Sequence, residues 1–286
     1  MNEAPPGRPP RVVATDLDGT LLRRDRTVSV RTVETLARIS AAGTLVVLVT
    51  GRPLRWLPAV YEQLPAPLPA VCANGAVVYD PVNDEVLRAD PLAPELLAEV
   101  VARLRAEVPE VSLAVEVTDS RQMRHESAYP VQWEHGHTIR LVDDPAQLIA
   151  EPAVKLLARS AAHDSDAFAL VVSTALKGLA EATHSSYSGL VEISAAGVTK
   201  AAGLAWFCER HGHTADEVIA FGDMPNDVPM LTWAGRGVAV ANAHRSVLAI
   251  ADEVTASHEE DGVAAHLERL FPPEPQPRPP AQRQGG

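Results

Sequence analysis

Lysine is almost missing from this chain. Its 25 basic residues include only three lysines, Lys155, Lys177 and Lys200; the other twenty-two are arginines. Where arginine serves as ordinary surface charge, a lysine calls for its own explanation. Cysteine is as sparse: Cys72 and Cys208 lie far apart in apolar surroundings, which argues against a disulfide framework and suits reduced core thiols. Positive charge is also short, since 25 Lys and Arg against 37 Asp and Glu leave a formal charge of −12. That balance favours solubility and disfavours sequence-independent nucleic-acid binding. No apolar run approaches bilayer length and no basic, then apolar, leader opens the chain. A cytoplasmic protein with no membrane partner is expected.

The 286 residues, 46% hydrophobic, are enough for two compact units with sizeable cores. The most informative segment is Val12-Val13-Ala14-Thr15-Asp16-Leu17-Asp18-Gly19-Thr20, an apolar β-branched run that ends in two aspartates one residue apart. As a buried strand it delivers both carboxylates to the C-terminal edge of a parallel sheet, where open α/β folds place their ligands. Two negative groups held together repel, which makes sense if a divalent cation joins them.

Three further elements follow in order. The run Leu45 to Val49 ends in Thr50-Gly51-Arg52, a hydroxyl, exposed backbone N–H groups and a guanidinium that can hold phosphate oxygens; taken alone, it reads more readily as a strand closed by a turn. Lys200 opens an apolar-periodic stretch, Ala201 to Cys208, and so sits on the first turn of a helix, where the dipole disfavours a cation. Contact with phosphate or carboxylates explains it, as does a solvated helix start. Val218 to Phe221 leads into Gly222-Asp223-Met224-Pro225-Asn226-Asp227, where Asp223 can reach a metal at the strand edge and Asn226 and Asp227 can bind the ion, its waters or Lys200. An acidic helix cap accounts for Asp227 alone but not for the group.

Taken together, Asp16-Leu17-Asp18-Gly19-Thr20, Thr50-Gly51-Arg52, Lys200 and Gly222 to Asp227 resemble the four motifs of the haloacid dehalogenase superfamily. The spacing is similar to its Cof-type branch (subfamily IIB, with a large α/β cap), as are Asn74-Gly75-Ala76 and the stretch Val238 to Ala243. The resemblance spans roughly residues 11 to 271. It implies an α/β fold: a Rossmann-like parallel-sheet core, 11–76 and 191–271, interrupted by an α/β cap at 77–190. It also implies Mg²⁺ as cofactor and hydrolysis of a small phosphorylated metabolite, a sugar phosphate or cofactor phosphate. By the same resemblance Asp16 is the nucleophile, forming an aspartyl-phosphate, and Asp18 is the acid and base. Thr50, Gly51 and Lys200 steady the phosphoryl oxygens, and Asp16, Asp18 (through its carbonyl), Asp223 and Asp227 serve the metal, with Asn226 beside them. Arg52 and Asn74 are candidate substrate contacts that core polar structure would explain equally well. A phosphotransferase such as a phosphohexomutase uses the same motifs, and a non-catalytic ligand-binding descendant is a third reading; dehalogenation fits least.

Strands and helices alternate along the chain, the pattern of a parallel sheet with crossover helices. Within the insertion, strands are expected at Val77–Tyr79, Val86–Arg88, Leu113–Val117, Val154–Ala158, Ala182–Ser185 and Val191–Ile193, with helices at Pro94–Ala106 and Ser165–Leu179. Met123-Arg124-His125 and the stretch Tyr129 to His137 are expected to be irregular, with Trp133 a candidate for reading the substrate. His135-Gly136-His137 lacks a third placed ligand and reads as loop surface. The proline-rich ends, 1–10 and 272–286, are expected to be disordered or extended. Oligomeric state is not encoded in any legible form.

Overall fold

The computed structural model describes residues 9–131 and 138–272. The expectations for the two termini fall almost wholly outside the described residues, as do those for Trp133, His135, Gly136 and His137.

The first part of the chain runs β1 (Val12–Thr15), α1 (Val30–Ala41), β2 (Leu45–Val49), a short α2 (Pro58–Tyr61), β3 (Ala70–Cys72), β4 (Val77–Asp80) and β5 (Glu85–Ala89). The middle part comprises α3 (Pro94–Glu107), β6 (Ser112–Val117), β7 (Met123–His125), β8 (Ile139–Leu141), α4 (Pro145–Leu148), β9 (Ala153–Arg159), α5 (Ser165–Ala175), β10 (Ala180–Thr183) and β11 (Leu190–Ala195). The last part returns through α6 (Lys200–Arg210), β12 (Val218–Gly222), α7 (Val228–Trp233), β13 (Arg236–Val240), α8 (Arg245–Leu248), β14 (Glu253–Thr255) and α9 (Gly262–Leu270).

The larger sheet has the order β14-β13-β12-β1-β2-β3-β4-β5 and is parallel from β14 to β3. This is a Rossmann-like core. All four residues of β1 are buried between β12 and β2, as a central parallel strand covered by helices on both faces requires. The smaller sheet, β10-β11-β9-β6-β7-β8, carries helices α3 and α5 on one face and, among the described residues, none on the other. Its strands therefore alternate: Leu156 and Ala158 of β9 pack under the helices, whereas Lys155, Leu157 and Arg159 point to the other side.

Two local expectations are corrected. The strands expected at the start of the insertion, Val77–Tyr79 and Val86–Arg88, extend the larger sheet instead, because β4 folds straight back antiparallel on β3 through the turn at Ala73–Gly75. Met123-Arg124-His125 is a strand rather than an irregular stretch, since its backbone pairs antiparallel with Ala114–Glu116.

One contact seats the helix that carries Lys200. Gly75 has φ +102°, and a Cβ there would lie 2.0 Å from the carbonyl oxygen of Thr199, the residue that caps α6. Gly203, one turn into α6, lies against Val71 and Gly75. Gly75→Ala is therefore expected to lower unfolding free energy by about 2 kcal/mol or more, read as a lower midpoint in urea. A variant as stable as the wild type would contradict this seating of the helix.

Candidate active site

Asp16, Thr50 and Asp223 each follow the last residue of a strand or lie immediately beyond it, and those strands, β1, β2 and β12, are neighbours. The sheet thus brings three separate motifs to one edge. Lys200 is the first residue of α6; Thr199 caps the helix by accepting the Ala202 N–H at 3.1 Å. The lysine Nζ lies 2.6 Å from Asp16 Oδ1 and 2.5 Å from Asp227 Oδ1, with no solvent exposure of its side chain. The other oxygen of Asp227 accepts the backbone N–H groups of Asp223 at 2.9 Å and Met224 at 3.0 Å, so this residue also shapes the loop after β12. Asp223 Oδ1 accepts the Thr20 hydroxyl at 2.7 Å. Only a glycine fits between the first and fourth motifs: a Cβ on Gly19 would stand 2.4 Å from Asp223 Oδ2.

Burial dominates the electrostatics here. It drives the Asp16 pKa well above the ordinary carboxylate value; Lys200 opposes the shift, and Asp227 and Asp223 reinforce it. Burial, with repulsion from Asp227, pushes Asp223 up to about 7. Burial alone would discharge Lys200, but Asp16 and Asp227 outweigh it and raise its pKa, so the ammonium stays charged. Three buried carboxylates thus share one buried cation. Their oxygens, one from each of Asp16, Asp223 and Asp227, lie within 4.8 Å of one another. An all-oxygen set left with excess negative charge fits a hard divalent cation.

The carboxylate of Asp18 stands apart from that cluster. Its side chain is 56% exposed and is gripped by Arg52 in a two-point pair, with Nε 2.6 Å from Oδ2 and Nη2 2.7 Å from Oδ1. Thr50 is buried, and its hydroxyl accepts the Arg52 N–H at 3.0 Å. Asn226 donates to Asn74 Oδ1 at 3.0 Å, and Asn74 holds its place with φ 59°. Asp16, Asp18, Thr50, Gly51, Arg52 and Asn226 all line one cleft of about 660 Å³, with Lys200, Asp223, Asp227 and Asn74 buried behind it.

The opposite wall of that cleft is the helix-free face of the smaller sheet, and here sequence reasoning missed functional candidates. Lys155 is 2% exposed, pairs with Glu192 at 2.6 Å and donates to the Gly51 carbonyl at 2.5 Å, linking the smaller sheet to the Thr50 loop. Burial would raise the Glu192 pKa, but Lys155 outweighs it and holds the group below its ordinary value. Arg55 pairs with Glu116 across the same junction. The rarity of lysine was the signal that could have singled out Lys155. The cysteines, by contrast, are both buried and unpaired, and burial pushes each thiol to about 12.

Comparison with known proteins agrees with this geometry. A family model described as haloacid dehalogenase-like hydrolase matches residues 13–267. The chain is 31% identical over 266 residues to a 5-amino-6-(5-phospho-D-ribitylamino)uracil phosphatase of Bacillus subtilis, covering 92% of this chain and 98% of that protein. It is 30% identical over 276 residues to a pyridoxal phosphate phosphatase of Escherichia coli, covering 90% and 97%. A solved haloacid dehalogenase-like hydrolase from Bacteroides thetaiotaomicron has a TM-score of 0.72 at 28% identity, over 91% of this chain and 99% of that one.

The raised pKa of Asp223 has a measurable sign. Below the unfolded value of 3.8 both states hold the proton; as pH rises to about 7 the unfolded chain releases it and the folded one keeps it, so folding becomes progressively less favourable. In EDTA, Asp223→Asn should therefore gain stability relative to wild type between pH 4 and 7.5, measured by urea unfolding. Parallel stability curves would contradict the assignment.

Proposed function

The chain belongs to the haloacid dehalogenase-like hydrolases, and from that premise we propose that it is a Mg²⁺-dependent phosphatase of a small phosphorylated metabolite. The observation that carries the reading is the meeting of Asp16 with Lys200, Asp223 and Asp227 at the strand edge, inside a cleft that Thr50 and Gly51 also line. The relatives named above, matched over nearly their full length, are phosphatases of such metabolites.

Asp16 attacks the phosphorus, forming a bond from its carboxylate oxygen while the bond to the ester oxygen breaks. Lys200 holds Asp16 Oδ1 and so fixes the attacking carboxylate, while Asp227 on the other side of the ammonium keeps the lysine charged and in place. Asp18, once released from Arg52 and protonated from solvent, gives that proton to the departing alkoxide, then takes one from the water that cleaves the aspartyl-phosphate. An incoming phosphate competes with Asp18 for Arg52, which frees the Asp18 side chain as substrate arrives. The Thr50 hydroxyl and the Gly51 N–H face the phosphoryl oxygens as charge builds on them. Asp16, Asp223 and the Asp18 carbonyl would hold the Mg²⁺, which offsets the repulsion between carboxylate and phosphate.

Phosphate release from p-nitrophenyl phosphate and from a panel of sugar and cofactor phosphates tests this. Turnover should require Mg²⁺ and fall by about a thousand-fold or more in Asp16→Asn. Folded wild type inert on every ester with Mg²⁺ present would overturn the reading in favour of a transferase or a binding protein.

A further inference from the structure

Side chains from both sheets' units also converge on one carboxylate, that of Asp166. This is the second residue of α5, a helix that packs on the smaller sheet. Its Oδ1 lies 3.0 Å from Nε2 of His184, the residue that follows β10. Its Oδ2 accepts Arg245 Nη2 at 3.1 Å and faces His244 Nε2 at 3.4 Å, and both of these residues belong to the start of α8 beside the larger sheet. The two histidines are buried, and their rings meet edge to face with centres 6.0 Å apart. His244 Nδ1 accepts the Ser246 N–H at 3.2 Å and so caps α8, which leaves the ring proton on Nε2, towards Asp166.

The place of His244 in the backbone gives this junction its reach. Its N–H donates to the Asp223 carbonyl at 2.7 Å. Two residues earlier, Asn242 Nδ2 donates to the Gly19 carbonyl at 2.8 Å. One short turn after β13 therefore braces both the loop after Asp18 and the loop that carries Asp223. On the other side of the junction, His184 Nδ1 lies 3.2 Å from the Ser186 carbonyl oxygen, in a loop whose Ser185, Ser186 and Ser188 line the cleft. A carboxylate 42% exposed gains little folding stability from such pairs. What it fixes is position.

We propose that Asp166 is a positioning residue for the cation site: by holding His244 it sets the loop that presents Asp223, although it touches neither the ion nor the substrate. The proposal rests on the phosphatase reading for its effect on turnover, not for its effect on the loop. A Cβ on Gly19 would stand 2.4 Å from Asp223 Oδ2, so that carboxylate has little room to follow a loop that shifts. Groups that orient a metal ligand from behind tune its affinity without reaching the ion. Asp166 thus couples the seating of the smaller sheet to the geometry of the carboxylate cluster.

Asp166→Ala, Asp166→Glu and His244→Asn test it; asparagine keeps a helix-capping side chain and the backbone N–H. Titration calorimetry should show Mg²⁺ binding weakened about five-fold or more in Asp166→Ala and largely retained in Asp166→Glu. With p-nitrophenyl phosphate at subsaturating Mg²⁺, kcat should fall by a similar factor while KM for the ester holds. The double variant Asp166→Ala/His244→Asn should bind Mg²⁺ no worse than the weaker single one, as two members of one path require. Hydrogen exchange in EDTA, over the peptides 222–227 and 241–248, reads the brace without ion or turnover and should quicken about ten-fold in Asp166→Ala. Unchanged exchange there, or exchange quickened equally throughout the smaller sheet, overturns the inference. Unchanged Mg²⁺ affinity in Asp166→Ala, or wild type that binds no Mg²⁺, overturns it as well. Wild type that binds Mg²⁺ but hydrolyses no ester overturns the phosphatase reading alone, because the calorimetric and exchange readouts need no turnover.

Discussion

Three buried carboxylates gathered near a single buried ammonium, which bonds two of them, set the terms for the rest of this molecule. Burying a charge costs several kcal/mol unless it is paired, and Asp16, Asp223 and Asp227 are buried together with only Lys200 among them. The fold compensates locally. Backbone N–H groups of Asp223 and Met224 and the Thr20 hydroxyl each take a carboxylate oxygen. What remains is an excess of negative charge at a strand edge, the condition under which a divalent cation and a phosphate ester can be held together.

The cluster exists because the sheet collects it. Residues far apart in sequence become neighbours where β12, β1 and β2 end side by side, and the turn at Ala73–Gly75 seats α6 so that its first residue reaches them. The second sheet has the complementary task. With helices on one face only, it turns the other towards the carboxylates, and Lys155 fastens that face to the Gly51 carbonyl. The strand edge of the larger sheet thus forms one wall of the cleft and the smaller sheet the other.

Much of this was legible in the sequence, because its signals are local. An apolar run followed by Asp, Thr or Gly marks the end of a buried parallel strand, and β1 and β2 begin and end where those runs do. Lys200 stood out because lysine is rare. The smaller sheet was less legible. β7 is three residues long and its identity rests on pairing with β6, while β4 and β5 carry ordinary strand sequences that give no hint of which sheet they join. The Lys155–Glu192 pair and the grip of Arg52 on Asp18 join residues 37 and 34 positions apart through tertiary geometry, which no spacing rule reveals.

Whether the Asp16, Asp223 and Asp227 cluster is a cation site is tested most directly by titration calorimetry with Mg²⁺ near pH 6.5. Repeating the titration in buffers of different ionisation enthalpy counts the protons released. One Mg²⁺ per chain should bind with proton release, because carboxylates raised by burial must ionise to bind it, and Asp223→Asn should lose that binding. Wild-type protein that binds no Mg²⁺, or a variant that binds it unchanged, would contradict the account.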